Sequence, residues 1–287
     1  MAITIAVAGA RAGTAPQQAT FRGDVQTVAV YATVRGPDGR LVTSLGRDDF
    51  RILEDGRPTE ITVFSNEVQP ITVAALLDTS DSMGGEIARV KAAAGPFIDA
   101  LLPADRVRFG TFGREIALSP LLTGDKAVLR RVVREEIWPV EHSPVWTALE
   151  AAMRSLEAEA GRRVVLTLSD GEDRCSDRLS FRCVSLDEVR ERAVGDGFMV
   201  YAVDVQGAGA GRSLRRLAED TGGGHYALRR DADLGRAFAD IVDELHHQYL
   251  LGFVPAALDG REHAIEVQVA GGLTARARRS YVARGRH

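Results

Sequence analysis

Two short acidic segments hold the side chains with the widest chemical scope. Asp78-Thr79-Ser80-Asp81-Ser82 follows the apolar run Ile71 to Leu77, and Ser169-Asp170-Gly171-Glu172-Asp173 follows Val164 to Leu168. In open parallel sheets, ligands bind outside the carboxyl ends of the strands. An Asp-x-Ser-x-Ser loop at such an end gathers the carboxylate of Asp78 and the hydroxyls of Ser80 and Ser82. Asp170 ends a later strand at the same edge, where its carboxylate can face that loop. An oxygen-only donor set suits a hard divalent cation, Mg²⁺ or Mn²⁺. Between the two segments, Ser143-Pro144 has the chemistry of a helix start, with Ser as N-cap and Pro at the first helical position. Its hydroxyl is a candidate fourth ligand. Taken alone, Asp78 to Ser82 reads more readily as an Asx/Ser turn capping the helix that follows than as a metal loop.

Other chemistries find less support. A phosphotransferase with Asp78 as nucleophile needs a second Asp two residues on, where Ser80 stands. The sequence has no phosphate-binding Gly-x-x-x-x-Gly-Lys-Ser/Thr loop, no His-Glu-x-x-His and no Gly-x-Ser-x-Gly nucleophile elbow. His246-His247 reads as a solvated helix end rather than a ligand pair. The alternation of Arg276, Arg278, Arg279, Arg284 and Arg286 with Ala275, Ala277 and Tyr281 suggests the outward face of a strand, its charges discouraging edge pairing.

The segments that must position the acids fall into three zones. From Val25 to Phe64 the hydrophobicity alternates, with Val28, Val30, Ala32 and Val34 on one face and a hairpin-like turn at Gly36-Pro37-Asp38-Gly39. From Ile71 to about Tyr249, short continuous apolar runs alternate with segments of helical spacing. This is the pattern of an α/β fold, a doubly wound, mostly parallel sheet flanked by helices. After Tyr249 alternation returns, and these strands should pack with the N-terminal ones as a small antiparallel β unit. The expected division is residues 1–23 as a disordered tail or truncated signal peptide, 24–68 as an N-terminal β segment, 69–248 as the α/β domain and 249–284 as a C-terminal β segment.

The 287 residues include 36 Lys+Arg and 40 Asp+Glu, a net charge of −4, with 45% hydrophobic and 26% charged residues. That composition belongs to a globular chain, and the negative balance argues against nucleic-acid binding. No apolar run approaches the roughly 20 residues that span a bilayer as a helix.

The motif Asp78-x-Ser80-x-Ser82 after a hydrophobic strand, with Asp170-Gly171 after a later one, resembles the von Willebrand factor type A domain over about Ile71 to Leu245. The resemblance implies a Rossmann-like fold and a metal-ion-dependent adhesion site. Asp78, Ser80, Ser82 and Asp170 match its ligands. The middle ligand, a Thr in the family's pattern, is aligned with Ser143 in Glu141-His-Ser-Pro-Val-Trp-Thr-Ala148, with Thr147 as the competing candidate. The flanking segments, with Leu45-x-x-x-Asp49-Phe50-x-x-x-Glu54-Asp55-Gly56 and Tyr249-Leu-Leu-Gly-Phe253, resemble a bacterial subgroup of secreted type A proteins, the acidobacterial-type related domain.

By this resemblance the chain is expected to be a non-enzymatic adhesion module, holding Mg²⁺ or Mn²⁺ and binding a protein partner through that partner's Asp or Glu. An assembly module whose metal only stiffens the loop is the second reading. A metal-assisted hydrolase is the third, with Glu172 or Asp173 as its general base. Cys175 and Cys183 are either two unrelated thiols or a disulfide closing an exposed loop, and the disulfide needs an oxidising compartment. Met1 to Ala19 has the apolar stretch and small residues of a secretory signal but lacks its basic start. Together these point to a periplasmic or secreted location.

Overall fold

The computed structural model describes residues 26–80, 87–135, 143–169, 171–176, 182–204, 211–228 and 234–285. The expected N-terminal tail therefore lies outside the described residues. The chain opens with β1 (Val28–Arg35), β2 (Phe50–Glu54), β3 (Arg57–Thr59) and β4 (Ile61–Ser65). Then come β5 (Thr72–Asp78), α1 (Ile87–Ala100), β6 (Arg106–Phe112), β7 (Ile116–Leu118), α2 (Lys126–Glu135) and α3 (Val145–Ser155). The middle continues with β8 (Arg163–Ser169), α4 (Leu186–Asp196), β9 (Met199–Asp204), α5 (Arg212–Thr221), β10 (His225–Ala227) and α6 (Leu234–His246). It closes with β11 (Tyr249–Phe253), β12 (Glu262–Val269), β13 (Thr274–Arg276) and β14 (Ser280–Val282).

Among the described residues the central sheet has six strands in the order β10-β9-β8-β5-β6-β7, parallel except for β7. Burial on both faces explains why its inner strands are continuously apolar. Along β5, Val73, Ala75 and Leu77 pack with α1, α2 and α6, while Ala74 and Leu76 pack with α3, α4 and α5. The chain thus winds both ways from the sheet's middle. Local chemistry sets the helix ends. Ser185 and Glu188 form a reciprocal capping box at the start of α4, and Asp125 Oδ1 accepts from the backbone N–H groups of Ala127 and Val128 at the start of α2. Gly222 ends α5 in the left-handed conformation at φ 82°. A Cβ on the next residue, Gly223, would sit 1.9 Å from the carbonyl oxygen of Val200, so only glycine lets α5 return this close to β9.

Strands from the two ends of the chain intermix in two four-stranded sheets, β13-β1-β11-β4 and β14-β12-β2-β3. Val30, Ala32, Ile52, Leu251, Phe253 and Ile265 make their shared core. The turn at Gly36 to Gly39 does form, with the Gly39 N–H on the carbonyl of Gly36. It closes only one antiparallel bridge, Arg35 to Leu41, instead of a hairpin, because β1 already carries β11 on one edge and β13 on the other.

Two sequence expectations are corrected here. The C-terminal arginines fan outward only in part: Arg279 and Arg284 are exposed, while Arg276 and Arg278 turn inward. Arg276 binds Glu244, Arg278 donates to the carbonyl of Val194, and Arg279 and Arg284 pair with Glu219 and Asp196. They tie the β-sandwich to the helices of the α/β layer, and Arg286 lies outside the described residues. His246 is not solvated. It is 5% exposed, with Nε2 at 2.8 Å from Asp105 Oδ2, because α6 turns its last residue into the junction, and only His247 faces water.

Candidate metal and adhesion site

Asp78 is the last residue of β5 and only 1% exposed. Its Oδ2 accepts the hydroxyl of Ser143 at 2.8 Å and that of Ser169 at 2.6 Å, and its Oδ1 accepts the Ser80 N–H at 3.0 Å. Thr79 anchors the turn, its N–H and hydroxyl both donating to the Phe112 carbonyl. Burial pushes the Asp78 carboxyl above its usual range, and the hydrogen bonds from Ser169, Ser80 and Ser143 pull only partly back. One largely desolvated carboxylate that accepts from two serine hydroxyls and one backbone N–H puts side-chain oxygens together, a donor set that fits a small hard cation.

Of the residues singled out in the sequence, the structure brings Asp78, Ser80 and Ser143 together. Ser82 and Asp170 lie outside the described residues. Ser143 does not cap α3, as its type and place suggested. Pro144 occupies the N-cap position with no side-chain cap, and the carboxylate of Asp173 accepts from the Trp146 N–H at 3.3 Å. Burial raises Asp173, against backbone bonds from Trp146, Val145 and Cys175. Freed from capping, the Ser143 hydroxyl reaches across to Asp78. The Arg174 N–H donates to the Ser143 carbonyl at 2.7 Å and fixes the residue from the other side.

Sequence reasoning missed Ser169 and Asp204. Ser169 bonds Asp78 and accepts the N–H of Gly171, whose φ of 81° turns the chain sharply after β8. Asp204 ends β9 directly beside Ser169 and is 3% exposed. The signal was present, since β9 is an apolar run closed by an acid, as β5 is. Among the described residues, no group of three or more His, Cys, Asp and Glu side chains is poised to hold a metal. Among the described residues, the carboxylates of Asp78 and Asp204 and the hydroxyls of Ser143 and Ser169 lie at this edge.

A family model for the von Willebrand factor type A domain matches residues 72–243. The chain belongs to the von Willebrand factor type A domain family. Solved structures share the fold at low identity. A von Willebrand factor type A protein from Catenulispora acidiphila is 15% identical with a TM-score of 0.54, over 82% of this chain and 73% of that one. The type A domain of the type V pili tip protein Mfa5 from Porphyromonas gingivalis is 15% identical with a TM-score of 0.51, over 61% of this chain and 95% of that one. Proximal thread matrix protein 1 from mussel byssus is 14% identical with a TM-score of 0.52, over 67% and 51%. No curated protein matches the chain significantly.

Beside Asp78, this type A domain carries a braced loop. Cys175 and Cys183 are disulfide-bonded, with Cα atoms 5.8 Å apart. Thr147 faces this loop, not Asp78. Its hydroxyl accepts the Val184 N–H at 3.0 Å and lies 3.8 Å from the sulfur of Cys175. Glu172 and Arg174 pair on the exposed surface of the same loop. Among the described residues, no helix is long and apolar enough to cross a membrane.

Proposed function

We propose that this type A domain is a cation-dependent protein-interaction module. Asp78, Ser80 and Ser143, with Ser82 and Asp170, would hold one Mg²⁺ or Mn²⁺ at the carboxyl edge of the central sheet. The single observation that supports this most is the convergence of Ser80, Ser143 and Ser169 on the buried carboxylate of Asp78. The ion would supply an open coordination position for a partner's Asp or Glu. The chain's own residues do the rest: Asp78 and the serines orient oxygen toward one point, and the disulfide-closed loop beside them shapes what can approach. Type A domains are commonly adhesion or interaction modules. The Cys175–Cys183 bond supports an oxidising, periplasmic or extracellular setting.

Calorimetric titration of Mg²⁺ and Mn²⁺ tests the reading. Wild type should bind one ion, Asp78→Ala none, and Ser143→Ala with at least about tenfold lower affinity, the effect of one lost ligand. Thr147→Ala should bind as wild type does. Failure of wild type to bind millimolar metal would sink the proposal. Normal binding by Ser143→Ala with loss in Thr147→Ala would reverse the assignment of the middle ligand.

A further inference from the structure

At the opposite, amino-terminal edge of the central sheet a cavity of about 840 Å³ opens between the α/β layer and the β-sandwich. The seven residues of β5 separate it from Asp78 by about 20 Å. Its charged lining is Arg106, Arg162, Arg163 and Arg278 against Glu159 and Asp196. Both acids are engaged by arginines. Glu159 pairs with Arg106 at 2.6 Å, and Asp196 with Arg284 at 2.9 Å. The chain as a whole is acidic, at −4, yet this wall has an excess of two positive charges.

The remaining three arginines have no carboxylate among the described residues within ion-pairing distance. Arg162 is 5% exposed and donates only to the side-chain oxygen of Gln248 at 2.9 Å and the carbonyl of Gln69 at 3.1 Å, and its buried Nε has no partner. Arg163 donates to the carbonyls of Glu157 and Asp196 and lies over the Phe198 ring, 4.3 Å from its centre. Arg278 donates to the carbonyls of Ser280 and Val194. Burial lowers all three, Arg278 to about 10, but a guanidinium stays charged at neutral pH. Three charges held on neutral acceptors at one cavity are costly to keep desolvated. An anion placed among them offsets that cost.

We propose that this cavity binds a dianionic oxyanion ligand, a phosphate monoester or a dicarboxylate with an apolar body. Three arginines without a carboxylate partner can neutralise a dianion, and the planar guanidinium fork suits phosphate and carboxylate oxygens alike. Tyr31, Phe198 and Met199 line the same space and give the apolar body a surface to lie on. The site is separate from the metal edge and stands or falls without it.

The test is calorimetry on the full chain in low-chloride buffer, with phenyl phosphate and phthalate as probes and the metal chelated. One-site saturable binding of either probe is expected, and the tighter of the two identifies the acid class. Arg163→Gln and Arg278→Gln should each weaken it by about tenfold or more, while far-UV circular dichroism shows them folded. Arg163→Lys, which keeps the charge and loses the fork, should fall between. Backbone amide shifts should centre on Arg162, Arg163, Gly197 and Phe198 and leave Thr79 and Ser80 unmoved. No saturable binding of either probe up to tens of millimolar overturns the proposal, as does unchanged affinity in both folded glutamine variants.

Discussion

Ser143 and Asp78, 65 residues apart in the chain, are joined by a 2.8 Å hydrogen bond in which the serine hydroxyl donates. The bond exists because Asp173 performs the capping that Ser143 would otherwise provide to α3. Three segments that meet only in the folded sheet therefore divide the work: one carries the carboxylate, one supplies the hydroxyl, and one satisfies the helix end. The pre-formed cluster is held by its own hydrogen bonds, and a buried carboxylate is costly unless paired. The site thus carries a cost to stability that a cation would offset.

Replacing that carboxylate by its neutral isostere separates stability from binding. Asp78→Asn removes a desolvated charge, and the serine hydroxyls can rotate to accept from the new amide. In EDTA the variant is expected to be more stable than wild type by about 1 kcal/mol, the trade seen when a functional charge is removed. Added Mg²⁺ should raise the Tm of wild type and leave that of Asp78→Asn in place. Thermal unfolding with and without metal measures both, and an equal metal-induced rise in the two proteins contradicts the assignment.

Glu244 links the α/β layer to the sandwich. Its side chain is fully buried and accepts from Arg35 at 2.6 Å, Tyr201 at 2.5 Å, Tyr226 at 2.9 Å and Arg276. Burial works against its ionisation, but the charge of Arg276 and the bonds from Tyr201, Arg35 and Tyr226 outweigh that and hold the carboxyl below its usual range. The stabilisation is therefore complete above the ordinary glutamate value and is lost as pH falls through the lowered one. Glu244→Gln should cost about 2–3 kcal/mol at neutral pH, less than a fully buried pair because both arginines are about one-third exposed. Urea unfolding should show the deficit shrinking toward acid pH, and a deficit constant with pH would argue against the charge as its source.

His263 gives the opposite sign. Its Nδ1 lies 2.7 Å from Asp55 and its Nε2 3.0 Å from Asp259, so both contacts are hydrogen bonds to carboxylates only when the ring is protonated. The bonds to Asp259 and then Asp55 raise the imidazole above its usual value of 6.5. This stabilisation is fully present below the unfolded value and fades as pH rises through the raised one. His263→Gln should be less stable than wild type at pH 5.5, with the gap narrowing as pH rises through the raised value. NMR titration of the imidazole gives the raised value directly, and a ring titrating at or below the usual value would remove the basis for the effect.

The Cys175–Cys183 bond closes a short loop against Thr147 and Val184. Replacing both cysteines with serine should cost about 2–3 kcal/mol, the chain-entropy value for a loop of this size. Under reductant, wild type should fall to the stability of the double variant. Peptide mapping without reductant should yield one linked Cys175–Cys183 species. Two free thiols in exported protein would cancel this prediction and the argument from compartment.

The amino-acid sequence by itself determined the α/β alternation and the place of Asp78 at a strand end. Continuous apolar runs demand burial on both faces, and an acid closing such a run must lie at the sheet's edge. These are local properties of period and residue type. The tertiary structure decided what those properties do not encode. The hydroxyl of Ser143 was legible as a cap or as a ligand, and only the approach of Asp173 to α3 released it toward Asp78. The basic C-terminus read as a solvated face, because its alternation says that the arginines share a side of the strand but not which side is covered. Glu244 lies earlier in the chain, and its buried carboxylate turns Arg276 inward while Arg279 and Arg284 stay exposed. Arg162 gave no signal at all. Its burial, and the lack of a carboxylate beside it, exist only once the sandwich closes over the foot of the central sheet.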